Sequence, residues 1–180
     1  GDYVLLFADN VEDDPSLRNR VGVFKDRAHA GGLLADRLVR YFERFRNMII
    51  VAVPSGGLPV GYAVAKRFHV DLGIMLVRKI PIPWEPEAGF GSVTLDGSTY
   101  LNIPLVRSLA LTEHDVNEGV KKAKEGLDER RKKIVGKGDL IQNIKERAVV
   151  LIDDGLASGY TMLASVESIR KREPSQTIVA

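Results

Sequence analysis

Cysteine is absent from this 180-residue chain, which excludes a disulfide framework, a thiolate metal site and a cysteine nucleophile. Histidine is scarce: His29, His69 and His114 are scattered, and no H-x-x-x-H spacing sets two imidazoles on one helix face for a metal. Neither sign of charge is in excess. The 26 basic and 24 acidic residues leave a net charge of +2, so no tail for binding a polyanion is implied. No apolar run is long enough to span a membrane, and no signal peptide opens the chain. These absences predict a cytoplasmic protein with no membrane and no nucleic-acid partner. The length predicts one domain able to bury a substantial core.

What is present is organised around the stretch from Ala148 to Met162. Ala148 to Ile152 are five apolar residues that read as a strand buried on both faces. Asp153 and Asp154 end it, because ionised carboxylates are costly to desolvate inside a sheet. Gly155, Ala157, Ser158 and Gly159 form a small-residue turn, after which Met162, Leu163, Val166 and Ile169 repeat with the helical period up to Pro174. Backbone amides from Ala157 to Thr161, Tyr160 among them, open that helix without intrahelical acceptors, and small residues let an anion approach them. Ser158 and Thr161 add hydroxyl donors. The twin carboxylates, acceptors only when ionised, suit the vicinal hydroxyls of a sugar better than a second phosphate. A phosphate beside a diol describes a ribose 5-phosphate. The competing reading is a Rossmann-like strand-to-helix turn whose acids merely cap the helix.

Residues 1–22 read as an N-terminal extension, with an apolar Tyr3 to Phe7, and residues 23–180 as the domain. Asp26 is a plausible N-cap for a helix whose apolar positions are Ala30, Leu33, Leu34, Leu38, Tyr41, Phe42 and Phe45. Arg27 reads as a solvated first-turn charge, with contact to a phosphate or a partner subunit as the other reading. Met48 to Val53 is an apolar run ended by Pro54, Ser55, Gly56 and Gly57; a helix follows to about His69, and Asp71 to Val77 gives a second strand ending at Arg78 and Lys79. Strands alternating with helices predict an α/β fold, an open and mostly parallel sheet with helices on both faces. Ligands of such sheets gather beyond the carboxyl ends of the strands. That rule sets Ser55, Gly56, Gly57, Lys79 and the run from Asp153 to Thr161 on one rim.

Residues 80–104 break the alternation. Pro81, Pro83 and Pro86 exclude regular helix, and Ser92 to Leu101 predicts a hairpin around Asp96 and Gly97, long enough to serve as a lid over a site that must exclude water. Trp84 and Phe90 are expected to pack beneath it, with stacking on a ligand ring as the alternative. Thr112 and Asp115 make a capping-box pattern that opens a long helix with a stripe of Val116, Val120, Ala123, Leu127 and Ile134. Its lysines and arginines alternate with Glu118, Glu125, Asp128 and Glu129, which reads as a solvated face. Thr177 to Ala180 look like the opening of another buried strand, and the chain begins without methionine, so a truncated C-terminus and a residue 1 that is not the encoded start are expected.

The run Val149 to Ile152, Asp153, Asp154, then Ser158, Gly159, Tyr160 and Thr161 resembles the defining motif of the type I phosphoribosyltransferases. Phe24, Asp26, Arg27, Ala30 and Gly31, then Pro54, Gly56, Gly57, Pro59 and Val60, then Val77 to Lys79, then Pro86, Glu87 and Gly91 extend the likeness to a poorly characterised branch of predicted phosphoribosyltransferases, over residues 24–180. The resemblance implies transfer of ribose 5-phosphate from phosphoribosyl diphosphate to a nitrogenous acceptor, most simply a nucleobase, with release of diphosphate. It implies that Pro54 to Gly57 bind the diphosphate, that Lys79 lies near it, and that Gly155 to Thr161 hold the 5-phosphate. It implies Mg²⁺ carried by substrate oxygens and by Asp153 and Asp154 through water, and a homodimer as the commonest assembly. Two departures stand out. This branch usually carries arginine where Ser55 stands, and alanine at 157 matches the adenine-type rather than the 6-oxopurine-type pattern.

Other chemistries fit less well. Gly56 to Gly61 has the spacing of a P-loop, but Tyr62 and Ala63 replace its lysine and hydroxyl residue. Ser55 sits at a strand-to-helix turn like a hydrolase nucleophile, without the leading glycine or any signature of a partner histidine. A non-catalytic regulator that binds phosphoribosyl diphosphate is the main rival to the transferase, and a phosphate-ester hydrolase the third reading.

Overall fold

The computed structural model describes residues 15–17, 20–136, 140–155 and 159–180; the expectations placed on Tyr3 to Phe7, Ala157 and Ser158 lie outside them. After a 3-10 turn at Pro15–Leu17 come α1 (Arg27–Arg44), β1 (Met48–Ala52), α2 (Gly57–Phe68), β2 (Asp71–Ile74), β3 (Val77–Ile82), β4 (Glu85–Thr94) and β5 (Thr99–Leu101). They are followed by α3 (Ile103–Ser108), α4 (Glu113–Val135), β6 (Ala148–Ile152), α5 (Tyr160–Arg170) and β7 (Gln176–Val179).

The centre is made by the two apolar pentapeptides. β1 and β6 are buried at every position and pair in parallel with level register, Met48 opposite Ala148 and Ala52 opposite Ile152. With β2 on the far side of β1 and β7 beyond β6, they form a four-stranded parallel sheet in the order β2-β1-β6-β7. Side chains alternate across it, as the period of two requires. Met48, Ile50, Val150 and Ile152 face α1 and α2, packing on Leu38, Val60 and Val64. Ile49, Val51, Val149 and Leu151 face the other way, onto Met162 and Ile169 of α5 and Ile141 and Ile144 of the preceding loop. A parallel sheet carries helices on both faces because both must be covered, and its strands are apolar throughout for the same reason.

A second, antiparallel sheet, β3-β4-β5, stands apart from the first. Its core is Ile80, Phe90 and Val93 against Ala123 and Leu127 of α4. The Thr112–Asp115 capping box opens α4, with the Thr112 hydroxyl accepting from the Asp115 amide at 3.1 Å and the Asp115 carboxylate accepting from the Thr112 amide at 2.8 Å. The hairpin around Asp96 and Gly97 is present; Gly97 has a φ of 89°, and its amide donates to the Thr94 carbonyl at 3.0 Å. That turn is fastened to α5 by the Ser168 hydroxyl, which donates to Asp96 at 2.9 Å.

Several expectations are corrected. The strand expected over residues 71–77 is two strands in two sheets: β2 ends at Ile74 and Val77 opens β3, so Arg78 and Lys79 belong to the antiparallel layer. Met75 and Leu76 at the switch are 2% and 1% exposed, so apolarity runs unbroken through the point where the chain changes sheets. Trp84, at the β3–β4 turn, is 62% exposed, whereas Phe90 is fully buried as expected. Leu33, Ile134 and Leu163 point outward from their helices. The short α3 was not anticipated; Asn102 caps it by accepting from the Leu105 amide at 3.1 Å, and proline is tolerated in its first turn. No helix among the described residues is long and apolar enough to cross a membrane.

Candidate active site

The carboxyl ends of β1 and β6 lie side by side, joined beyond the sheet by a hydrogen bond from the Val53 amide to the Ile152 carbonyl at 2.8 Å. Each strand hands over to a loop at this edge: Pro54, Ser55, Gly56 and Gly57 after β1, and Asp153, Asp154 and Gly155 after β6. The two loops touch. A Cβ built on Gly56 would lie 1.8 Å from Asp154 Oδ2, and one on Gly57 would lie 2.7 Å from the Ile152 carbonyl oxygen. A methyl at 56 would displace the Asp154 carboxylate that rests there, and one at 57 would meet main chain. The Pro54–Ser55 peptide is cis.

Asp153 is half-buried and tightly placed. Its amide donates to the Ala180 carbonyl at 3.2 Å, and its Oδ1 accepts from the Asp154 amide at 2.8 Å. Burial, the largest influence, pushes its carboxyl above the usual range; the Asp154 amide opposes this, and the neighbouring Asp154 charge reinforces it. Asp154 is turned toward the start of α1, where Arg27 Nε and Nη2 both donate to its Oδ2, at 3.2 and 2.8 Å. The Asp26 N-cap, accepting from the His29 amide at 2.7 Å, sets the first turn of α1 and so aims Arg27. The solvated-charge reading of Arg27 is thus corrected. Together the two acids line a cleft of about 780 Å³ with Phe24, Arg27, Pro59 and Val60.

On the β1 side, Arg130 of α4 reaches across from the second layer and donates to Ser55 Oγ at 3.2 Å. Lys79 sits inside β3, where its ammonium is held by the Glu87 carbonyl of β4. Of the phosphate loop, Gly159 is left-handed with a φ of 77°, and Tyr160 and Thr161 open α5. The Leu163 amide donates to the Gly159 carbonyl at 3.0 Å. Tyr160 Oη accepts from Asn102 Nδ2 at 2.6 Å, tying this end of α5 to the second sheet.

The structure therefore gathers Ser55, Gly56, Gly57, Asp153, Asp154 and Gly155 at one edge, with Gly159 to Thr161 at the start of α5 after residues 156–158. Lys79 lies in the other layer. Sequence reasoning favoured a solvated Arg27, with phosphate contact as the alternative, and missed Arg130 as a site neighbour. Arg27 had a local hint, its place beside a helix cap; Arg130 had none.

No family model matches the chain. Two Mycobacterium tuberculosis proteins, one of them named "Putative phosphoribosyl transferase Rv0571c", are 31% identical to it over 158 residues, 88% of this chain. The chain spans about a third, 35%, of the length of those curated relatives. The crystal structure of TT1426 from Thermus thermophilus superimposes with a TM-score of 0.66 at 30% identity, over 87% of this chain and 73% of that one. A hypoxanthine phosphoribosyltransferase from Staphylococcus aureus shares the fold at a TM-score of 0.51 and 14% identity, over 94% of this chain and 71% of that one. With the paired acids at the end of β6 and the glycine loop after β1, these likenesses give the chain the type I phosphoribosyltransferase fold and a sequence similarity to proteins named putative phosphoribosyl transferases.

Proposed function

We propose that this chain transfers ribose 5-phosphate from phosphoribosyl diphosphate to a nitrogenous acceptor and releases diphosphate. The observation that carries the reading is the pair Asp153–Asp154 at the carboxyl edge of the sheet, in contact with the glycine loop of β1 and followed in the chain by the N-terminus of α5. In this reading Asp153 and Asp154 accept from the ribose hydroxyls and favour positive charge developing at the anomeric carbon. Gly159 to Thr161 anchor the 5-phosphate, with Gly155, Ala157 and Ser158 completing their loop. Binding energy at that remote phosphate then positions the reacting bond. Ser55, Gly56 and Gly57 take the diphosphate, and Lys79 would act there only after leaving the Glu87 carbonyl.

Magnesium fits this donor set. Among the described residues no group of three or more acidic or histidine side chains could cage a metal, whereas a hard cation carried by diphosphate oxygens and water needs only one or two carboxylates. Asp153 and Asp154 would hold it, through water; bound there, it would offset charge on the departing diphosphate.

A second reading, a regulator that binds phosphoribosyl diphosphate without turnover, is favoured by one observation: Asp154 is already engaged by Arg27. Incubating the protein with Mg²⁺, labelled phosphoribosyl diphosphate and a panel of nucleobases separates the two. Diphosphate release that depends on one acceptor supports transfer; thermal stabilisation by the ligand with no release supports the regulator. Acceptor-independent phosphate release would point to hydrolysis instead.

A further inference from the structure

We propose that Arg130, backed by Arg78, forms a cationic subsite for the diphosphate portion of the substrate at the loop 54–57; the assignment rests on the transferase reading above. It begins with two arginines that form no ion pair among the described residues. Arg130 belongs to the layer of α4 and the second sheet, yet its Nη2 donates to Ser55 Oγ at 3.2 Å in the loop that follows β1. A neutral hydroxyl uses little of a guanidinium with five donors.

One helical turn earlier, Gly126 leaves room for a second guanidinium. A Cβ on Gly126 would stand 1.9 Å from Arg78 Nη1, so the head of Arg78 lies directly on the helix there. Positions four apart on a helix are neighbours, with about 5–6 Å between their Cβ atoms, so the two arginines share one face of α4. Among the described residues no carboxylate pairs with either of them. An anion beside the loop would be attracted by both.

The chemistry of these side chains selects the anion. Arginine presents a planar fork that matches phosphate oxygens two at a time. Ser55 Oγ, while accepting from Arg130, keeps its own proton to donate to the same group. The diphosphate of the substrate, which offers several such oxygens, is the anion this chemistry fits.

Isothermal titration with magnesium diphosphate and, separately, with ribose 5-phosphate tests this. R130Q is expected to weaken magnesium diphosphate roughly tenfold or more and to leave ribose 5-phosphate unchanged, the loss expected for a charge-assisted contact. S55R in the R130Q background is expected to recover most of the diphosphate affinity, because it returns a cation to the same loop. Unchanged diphosphate affinity in R130Q, with ribose 5-phosphate still bound, would overturn the subsite and leave the transferase reading standing. Loss of both ligands in R130Q would also overturn a dedicated diphosphate contact. Wild-type protein that binds neither probe would overturn subsite and transferase reading together.

Discussion

Arg27 and Asp154 meet across 127 positions of sequence, with Nε and Nη2 of the guanidinium donating to one carboxylate oxygen. Both side chains are more than a third exposed, at 57% and 36%, so the pair contributes about 0–1 kcal/mol to stability. Its value is orientation. R27Q is expected to lower the melting temperature by no more than about 4 °C. It should weaken ribose 5-phosphate binding severalfold, because Asp154 loses its fixed position. Calorimetric melting beside ligand titration checks both; a large thermal loss would make the pair structural instead.

Gly56 and Gly57 separate function from stability. In G56A the new methyl meets only the end of the Asp154 side chain, which can swing away, so the fold is expected to hold while ligand binding is lost. In G57A the methyl meets the Ile152 carbonyl, which cannot move without the strand. Overpacking of that kind costs about 1–3 kcal/mol, a fall of roughly 3–10 °C for a chain of this size. Melting curves for the two variants side by side decide whether the two glycines differ as stated.

Asp153 should show a trade between stability and binding. Its carboxyl titrates above the unfolded value, chiefly through burial, so the folded state prefers it protonated. That preference stabilises the protein fully below the unfolded carboxylate range and is lost as pH rises through the raised value. At neutral pH D153N therefore removes a cost and is expected to melt no lower than wild type, while ribose 5-phosphate binding falls at least tenfold. The thermal advantage of D153N should shrink as pH drops toward 4. A variant that melts lower at pH 7 would contradict the assignment.

Asp96 shifts the other way. Burial, the largest single influence, pushes its carboxyl up, yet hydrogen bonds from Thr94, the Ser98 amide and Ser168 together outweigh it and hold the carboxyl at about 2. Its contribution is present above the unfolded value and lost as pH falls through the folded one, from about 4 down to about 2. Asp96 is itself exposed, which holds the effect to about 1 kcal/mol or less. D96N should erase that part of the acid sensitivity and loosen the turn from α5. Acid unfolding followed by circular dichroism, wild type against D96N, measures it.

The central sheet was legible in the sequence because β1 and β6 must be apolar at every position to lie buried on two faces, and because their ends carry turn residues and acids within a few positions. The helix starts at Asp26 and Thr112 were legible for a similar reason: a cap is a local bargain between one side chain and the next turn. The change of sheet at Met75 and Leu76 was not, since both sides of the switch are buried and hydrophobic pattern records burial rather than partner. Trp84 misled because size and apolarity argue for packing, while its place at a two-strand turn leaves nothing to cover it. The contacts Arg27–Asp154 and Arg130–Ser55 join residues 127 and 75 positions apart, and no local spacing encodes such meetings.

Met48 lies opposite Ala148, so the strands that frame the candidate site are brought together from distant parts of the chain. Closing so long a loop costs entropy before any pairing energy is returned. No fragment ending before β6 can hold half of this pocket in waiting. Acquiring a ligand-competent cleft and acquiring the native state are, for this protein, a single event, and recovery of binding after dilution from denaturant should track recovery of the sheet itself.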